Sequence, residues 1–276
     1  MNALIRSLLR PVLLPALLAA GIAPAMAQEQ LVGLAPQNKL VFFVSTSPGN
    51  VEVLKVTGLA KGEKLLGIDR RPATGGLYAL SSSSRIYTIN TTTGAATAVG
   101  TTAFTPALRG TRFGFDFNPV VDRIRIVSNT GQNLRVHPDT GVAITPADVN
   151  LAYGDAGLAP LVAGAAYTNS VSPAPLTTTL YDIDAARDAL VIQNPPNNGT
   201  LVTVGSLGVN TTDTVGFDIA GSGAAFASLQ LKLRYGKSKR AALYTINLGT
   251  GAVTLVGKIG GPYPISGLTA LGSVAN

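Results

Sequence analysis

Between residues 65 and 100 the apolar residues come in four short runs, "LLGIDRR", "GLYALSS", "RIYTINT" and "AATAVG", divided by "PATG", "SSS" and "TTTG". Runs this short, rich in branched and aromatic residues and bounded by Gly, Pro, Ser and Thr, predict strands joined by tight turns. The unit then repeats. Slid by 47 residues, Gly67, Asp69, Pro72, Thr93 and Gly94 fall on Gly114, Asp116, Pro119, Thr140 and Gly141 without a gap. Further on, "LYTINLGTGAVTLVG" (243–257) matches "IYTINTTTGAATAVG" (86–100) at ten of fifteen positions.

Two markers count the units. The phrase "GID" or "GFD", degraded to "AYT" and "GLT", has Asp69, Asp116, Thr168, Asp218 and Thr269 as its third residues, in steps of 47, 52, 50 and 51. The glycine closing the turn after the third run gives Gly49, Gly94, Gly141, Gly199 and Gly251, again five. Four antiparallel strands in each unit of this length predict an all-β, five-bladed β-propeller. "ISGLTAL" near the end is a first strand with nothing after it, while "EQLVGLA", "KLVFFVST" and "VEVLKVT" are second to fourth strands with nothing before them. The last blade is therefore expected to close with N- and C-terminal strands together, which leaves no open seam. A parallel β-helix would have shorter coils, and a sandwich would not repeat at this period.

The first residues belong to a different pattern. Arg6 and Arg10 flank the start of "PVLLPALLAAGIA", which ends in "APAMA". A charged start, a short apolar run and small residues at Ala25 and Ala27 predict a signal peptide over 1–27, leaving a single propeller domain over 28–276. The run is too short and too interrupted by Pro11 and Pro15 to span a bilayer. The expected location is outside the cytoplasm, periplasmic or extracellular. The absence of cysteine means that disulfides contribute nothing to stability there.

Charge changes the picture at one place. Only 13% of residues are charged, and five basic residues crowd into "LKLRYGKSKR" (231–240). The positive balance is thus partly one solvated loop, and a single tyrosine there is too little for nucleic-acid stacking, so no nucleic-acid partner is expected. The long junctions "GTTAFTPALRGTR" and "TPADVNLAYGDAGLAPLV" should emerge on the same face as that loop and form a rim.

Candidate chemistry lies in two sets. Asn90 and Asn247 close the third-strand turns and His137 takes the same place in the second unit, so the one histidine reads as a turn residue; a Ser-His-Asp site or a His-ligated metal has no support. Asp69, Asp116 and Asp218 recur on first strands, which line a propeller axis. Three carboxylates there would repel and raise at least one pKa. They could hold calcium with nearby Thr or carbonyl oxygens, act as an acid pair on a glycoside, or accept bonds from their own turns. The second set is where the repeat is rewritten. In place of Tyr78, Ile86 and Thr88, the second unit has Arg125, Asn133 and Arg135, joined by Arg112, Asn118, Asp122, Arg123, Asn129 and Gln132. Buried, such a set must be fully paired, and it forms either a network fixing the blades or a pocket for an anionic or carbohydrate-like ligand.

"GIDRRPATGGLYAL", "FGFDFNPVVDRIRIVSNTGQNLRVHPDTG" and "AAYTNS" resemble the motifs of a family of exported bacterial proteins, domain of unknown function 4394. The resemblance covers essentially all of residues 28–276. It implies a propeller-like secreted domain and transfers no activity.

The expectation is a secreted, monomeric, non-catalytic propeller that binds a carbohydrate, an anionic small ligand or a protein partner through its loop-rich face or axial pocket. The ligand-binding candidates are Arg112, Asp116, Asn118, Asp122, Arg123, Arg125, Asn133 and Arg135. The alternative is a carbohydrate hydrolase using Asp69, Asp116 and Asp218. No cofactor is predicted, calcium at those three aspartates being the one metal considered.

Overall fold

A computed structural model describes residues 28–155, 159–233 and 240–274. The signal peptide expected over 1–27 and the centre of the basic loop, 234–239, lie outside the described residues. Five sheets follow one another along the chain. β1 (Glu29–Ala35), β2 (Lys39–Val44) and β3 (Ser47–Lys55) come first. Blade one is β4 (Leu65–Arg70), β5 (Leu77–Ser81), β6 (Ile86–Ile89) and β7 (Ala96–Val99). Blade two is β8 (Phe113–Asn118), β9 (Arg123–Ser128) and β10 (Asn133–Val136). Blade three takes β11 (Ala152–Tyr153), β12 (Val162–Tyr167), β13 (Leu180–Asp184), β14 (Ala189–Gln193) and β15 (Thr200–Ser206). Blade four is β16 (Thr211–Ile219), β17 (Ala225–Leu231), β18 (Ala242–Ile246) and β19 (Val253–Lys258). β20 (Gly267–Ser273) pairs antiparallel with β1, Val32 opposite Thr269, to make blade five with β2 and β3. Each first strand touches the next around the ring, β4 to β8, β12, β16, β20 and back. The arrangement is an all-β, five-bladed propeller. No helix among the described residues is long and apolar enough to cross a membrane.

The blades are not uniformly four-stranded. Blade two has three strands and blade three five, and one piece of chain accounts for both. After β10 only Val136 and Ala143 pair before the chain leaves blade two, and residues 152–153 then run parallel to β15 on the outer edge of blade three. Val149 and Ala152 donate main-chain N–H groups to Asn197 and Gly199 of that blade. The strand missing from blade two is thus a strap onto its neighbour.

Register at the axis follows from glycine. Gly67, Gly114, Gly164, Gly216 and Gly267 line a void of about 10 Å3 where the five inner strands converge. A Cβ on Gly67 would lie 2.6 Å from that of Phe115, and one on Gly114 2.6 Å from that of Ala165, so each strand approaches the next only because the side chain is missing. Counted from this throat, the residue of blade three equivalent to Asp69 is Ala166, two positions after Gly164. Thr168, the residue expected there, is off the ring and bonds the loop around Thr178 and Thr179.

Packing between blades is mostly apolar. Phe217, Ile219, Leu229 and Tyr244 of blade four meet Ala163, Ala166, Ile183 and Leu190 of blade three. Between blades one and two, Tyr78, Leu80 and Ile86 meet Phe113, Phe115 and Phe117. The junction of blades two and three differs, because Val127 is the one buried apolar residue that β8–β10 contribute to its cluster.

Candidate functional site

All three axial aspartates are buried, and an oxygen of each lies within 4.8 Å of the others. Their partners lie on neighbouring blades, apart from one in Asp218's own strand, rather than in their own turns. Asp69 accepts the Phe117 N–H at 2.9 Å and Asp116 the Tyr167 N–H at 2.9 Å, each on the next inner strand. Asp218 accepts the Ala270 N–H at 2.6 Å and that of Ile219 at 2.7 Å. The Thr269 hydroxyl donates to Asp69 at 2.7 Å. All of these but the Ile219 bond, which stays within β16, tie one blade to the next.

Burial pushes the Asp218 carboxyl up to about 6. Burial and the neighbouring carboxyls hold Asp69 and Asp116 well above the usual carboxylate range. The cluster therefore keeps protons, the ordinary outcome when like charges are forced together. Asp69 and Asp218 also line a pocket of about 250 Å3 with Glu29, Arg70 and several serines, and the glycine throat is the constriction of the axis beyond them. A calcium ion takes six to eight oxygens. Three carboxylates supply part of that set, and other oxygens would have to supply the rest.

Five of the rewritten residues of blade two, Asn118, Arg123, Arg125, Asn133 and Arg135, meet at the junction with blade three, and their hub is Arg125, 1% exposed. A buried guanidinium must be paired, and this one is. Its Nη1 donates to Asn133 Oδ1 at 2.7 Å and to Asp148, its Nη2 to Asn197 Oδ1 at 2.8 Å, and its Nε to the Tyr167 hydroxyl at 3.3 Å. Arg135 grips the same Asp148 through Nε at 2.9 Å and Nη2 at 2.8 Å. Asp148 rides on the strap, which explains why the strap crosses here. Asn133 donates to the carbonyls of Val149 and Pro196, both at 2.9 Å.

Deeper in the junction lies Asp182 of β13, fully buried, neither oxygen having a hydrogen-bond partner among the described residues. Burial pushes it up to about 8, the nearby Arg125 opposing and Asp184 adding to the shift.

On its outer side this junction opens into a pocket of about 240 Å3 lined by Asn118, Val121, Arg123, Arg125, Arg135, Tyr167, Pro196 and Asn197. Of the residues expected at a ligand site, Asn118, Arg123, Arg125 and Arg135 thus come together, with Asn133 behind them. Asp122 does not join them; it is held by Arg71 of blade one, which also holds Asp139. Asp116 is at the axis. Arg112 is at the other end of the inner strands, its Nε 3.3 Å from Asp213 but not aligned for a hydrogen bond. Asn129 and Gln132 also bond loops at that end. The long junctions enter where the inner strands start, whereas this pocket and the axial one lie where they finish. Asn90 and Asn247 accept N–H groups of their own turns, and His137 Nδ1 accepts one from Asp139.

Sequence reasoning missed Asp148, Tyr167 and Asn197. Asp148 is the one acid in "TPADVN"; the acids of blade two itself are taken up elsewhere, Asp116 at the axis and Asp122 and Asp139 by Arg71, so the carboxylate that answers Arg125 and Arg135 comes from the strap.

A family model described as Domain of unknown function (DUF4394) matches residues 39–269. No curated protein matches. Among solved structures, a structural-genomics protein of unknown function from Bacteroides thetaiotaomicron aligns at 14% identity and a TM-score of 0.49, over 84% of this chain and 58% of its own. An auxiliary nutrient binding protein from the same organism aligns at 16% and 0.41, over 69% and 53%. A structure described as the Dos1 propeller aligns at 12% and 0.40, over 83% and 62%. The chain thus spans little more than half the length of these structures, and the propeller assignment rests on strand order.

Proposed function

For this chain, which belongs to the DUF4394 family, we propose a non-catalytic binding role: an exported, monomeric propeller that takes a small anionic or acid-sugar ligand in the pocket between blades two and three. One observation supports the reading above others, a surplus of donors around that pocket. Asp148 is held by Arg125 and Arg135, and Asn197 Oδ1 by Arg125. Asn118 Oδ1 accepts from Val120 and Val121, and the Pro196 carbonyl from Asn133 and Gln193. The acceptors on the wall are satisfied internally while guanidinium and amide N–H groups remain, so a ligand must bring acceptors. Export is supported by the pattern of residues 1–27.

Calorimetry of the protein against small anionic and neutral saccharides tests this. Anionic sugars should bind, more weakly at higher salt, and Arg123→Ala should abolish the heat. Absence of any anion binding at millimolar concentration sinks the reading.

Hydrolysis by the axial aspartates is favoured by one feature, the presence of Asp69 and Asp218 on a pocket wall with pKa values raised toward the range of a general acid. It predicts turnover of aryl glycosides that Asp218→Asn removes. Calcium at the same residues predicts a rise in melting temperature on adding the ion.

A further inference from the structure

We infer that the pocket between blades two and three selects a singly charged carboxylate carried on one hydroxylated ring, a uronic-acid type of sugar, over neutral sugars and doubly charged esters. The inference rests on the binding role proposed above and adds to it a charge and a size.

Charge is settled by counting the pairs. Arg71 faces Asp122 and Asp139, and Arg125 with Arg135 faces Asp148. The Arg71 cluster adjoins the pocket closely enough for Arg123 to act on Asp139; taken together, four arginines against three aspartates leave one positive charge, and the arginine on the pocket wall without a carboxylate partner is Arg123. Its Nη1 is tied to the carbonyls of Val121 and Asp122, at 3.2 and 2.8 Å. Nε and Nη2, the edge of the guanidinium that meets a carboxylate with two parallel hydrogen bonds, have no partner among the described residues. A dianion here would leave one charge uncompensated, and a neutral ligand would leave Arg123 desolvated without a partner, both costly.

Size and polarity follow from the rest of the wall. About 240 Å3 is roughly the volume of eight waters, enough for one sugar ring. The Tyr167 oxygen accepts from Arg125, so its O–H is left to donate. With Asn197 Nδ2 and Arg135 Nη1, neither engaged among the described residues, it gives ring hydroxyls three donors. Val121 and Pro196 supply the apolar contact.

The test is calorimetry of the full protein with galacturonate, galactose and galactose 6-phosphate, repeated with Arg123→Lys. Galacturonate should bind at least tenfold tighter than the other two. Arg123→Lys, which keeps the charge and loses the fork, should weaken galacturonate at least tenfold. Its melting temperature should not move, because Arg123 bonds only carbonyls of its own turn. Equal or tighter binding of galactose or of its phosphate ester, or an unchanged affinity in Arg123→Lys, overturns the inference while the binding role stands. If none of the three binds, the role itself falls with it.

Discussion

Two neighbouring interfaces of the ring are built on opposite principles. Blades three and four meet through Phe217, Ile219, Leu229, Ile183 and Leu190, an apolar contact that the hydrophobic effect stabilises without directional demands. Blades two and three meet through Arg125, Asn133, Asp148, Asp182 and Gln193, where polar groups must find partners or cost free energy. An apolar interface holds blades together at any point along its length. A polar one fixes a register and leaves donors at its rim, which is where the pocket lies.

The largest expected effect breaks the polar side. Asp148→Ala leaves the buried Arg125 without its carboxylate and should cost about 3–5 kcal/mol in chemical denaturation. Phe217→Ala, its counterpart on the apolar side, should cost a similar ~3–5 kcal/mol by cavity formation. The two losses differ in kind. Replacing Arg125, Asp148 and Arg135 together by Met, Leu and Met should recover most of the stability while abolishing ligand binding, because the apolar set packs without needing charge partners. If the triple variant stays as unstable as Asp148→Ala, the interface is not a substitute for an apolar one and the comparison fails.

A second, pH-dependent difference comes from Asp182. Its folded-state pKa of about 8 lies above the unfolded value of about 3.9, so the folded state binds an extra proton between those limits. Stability should therefore fall as pH rises through that window, and the loss should be complete above it. Asp182→Asn, neutral throughout, should flatten the slope of stability between pH 6 and 9, a gain on the order of a few kcal/mol at the alkaline end. Denaturant midpoints across that range measure it. A slope equal to wild type would remove Asp182 from the account.

How much of this was legible depended on whether a signal was local. The five units, the turn glycines and the axial aspartates are each carried by residues adjacent in sequence, so sliding the chain on itself exposes them. The strap was illegible because nothing in "TPADVN" marks which blade it joins, and because the acid that answers Arg125 is 23 residues away. Thr168 was misplaced for a related reason: "AYT" looks like a worn "GFD", but register is set by Gly164 packing against Phe217, a contact between blades that no single unit contains. The arginines of blade two were visible as exceptions. Their direction, outward to the strap and pocket, was not.

Gly114→Ala probes the frame that both interfaces share. The added carbon would sit 2.6 Å from Ala165 Cβ and 2.7 Å from its main-chain nitrogen, and strands pressed by the rest of the ring cannot yield easily. A loss of about 1–3 kcal/mol is expected from the overpacking. Because Gly114 and Ala165 lie at the junction of blades two and three, the same variant should also weaken ligand binding, whereas Gly216→Ala, on the far side of the throat, should lower stability and leave binding alone. Equal loss of binding in both would mean that the pocket answers to the whole ring rather than to its own junction.

The smallest effect belongs to the repeated segment. Asn90 and Asn247 each accept two N–H groups of their own turn and share no partner. Each change to Ala should cost about 1 kcal/mol, the worth of a turn hydrogen bond or two. Sites without shared partners add, so the double variant should lose about twice that, read from the same denaturation curves, with ligand binding untouched. A double loss well beyond the sum, or any loss of ligand, would mean that the two copies serve a common site and not two separate turns.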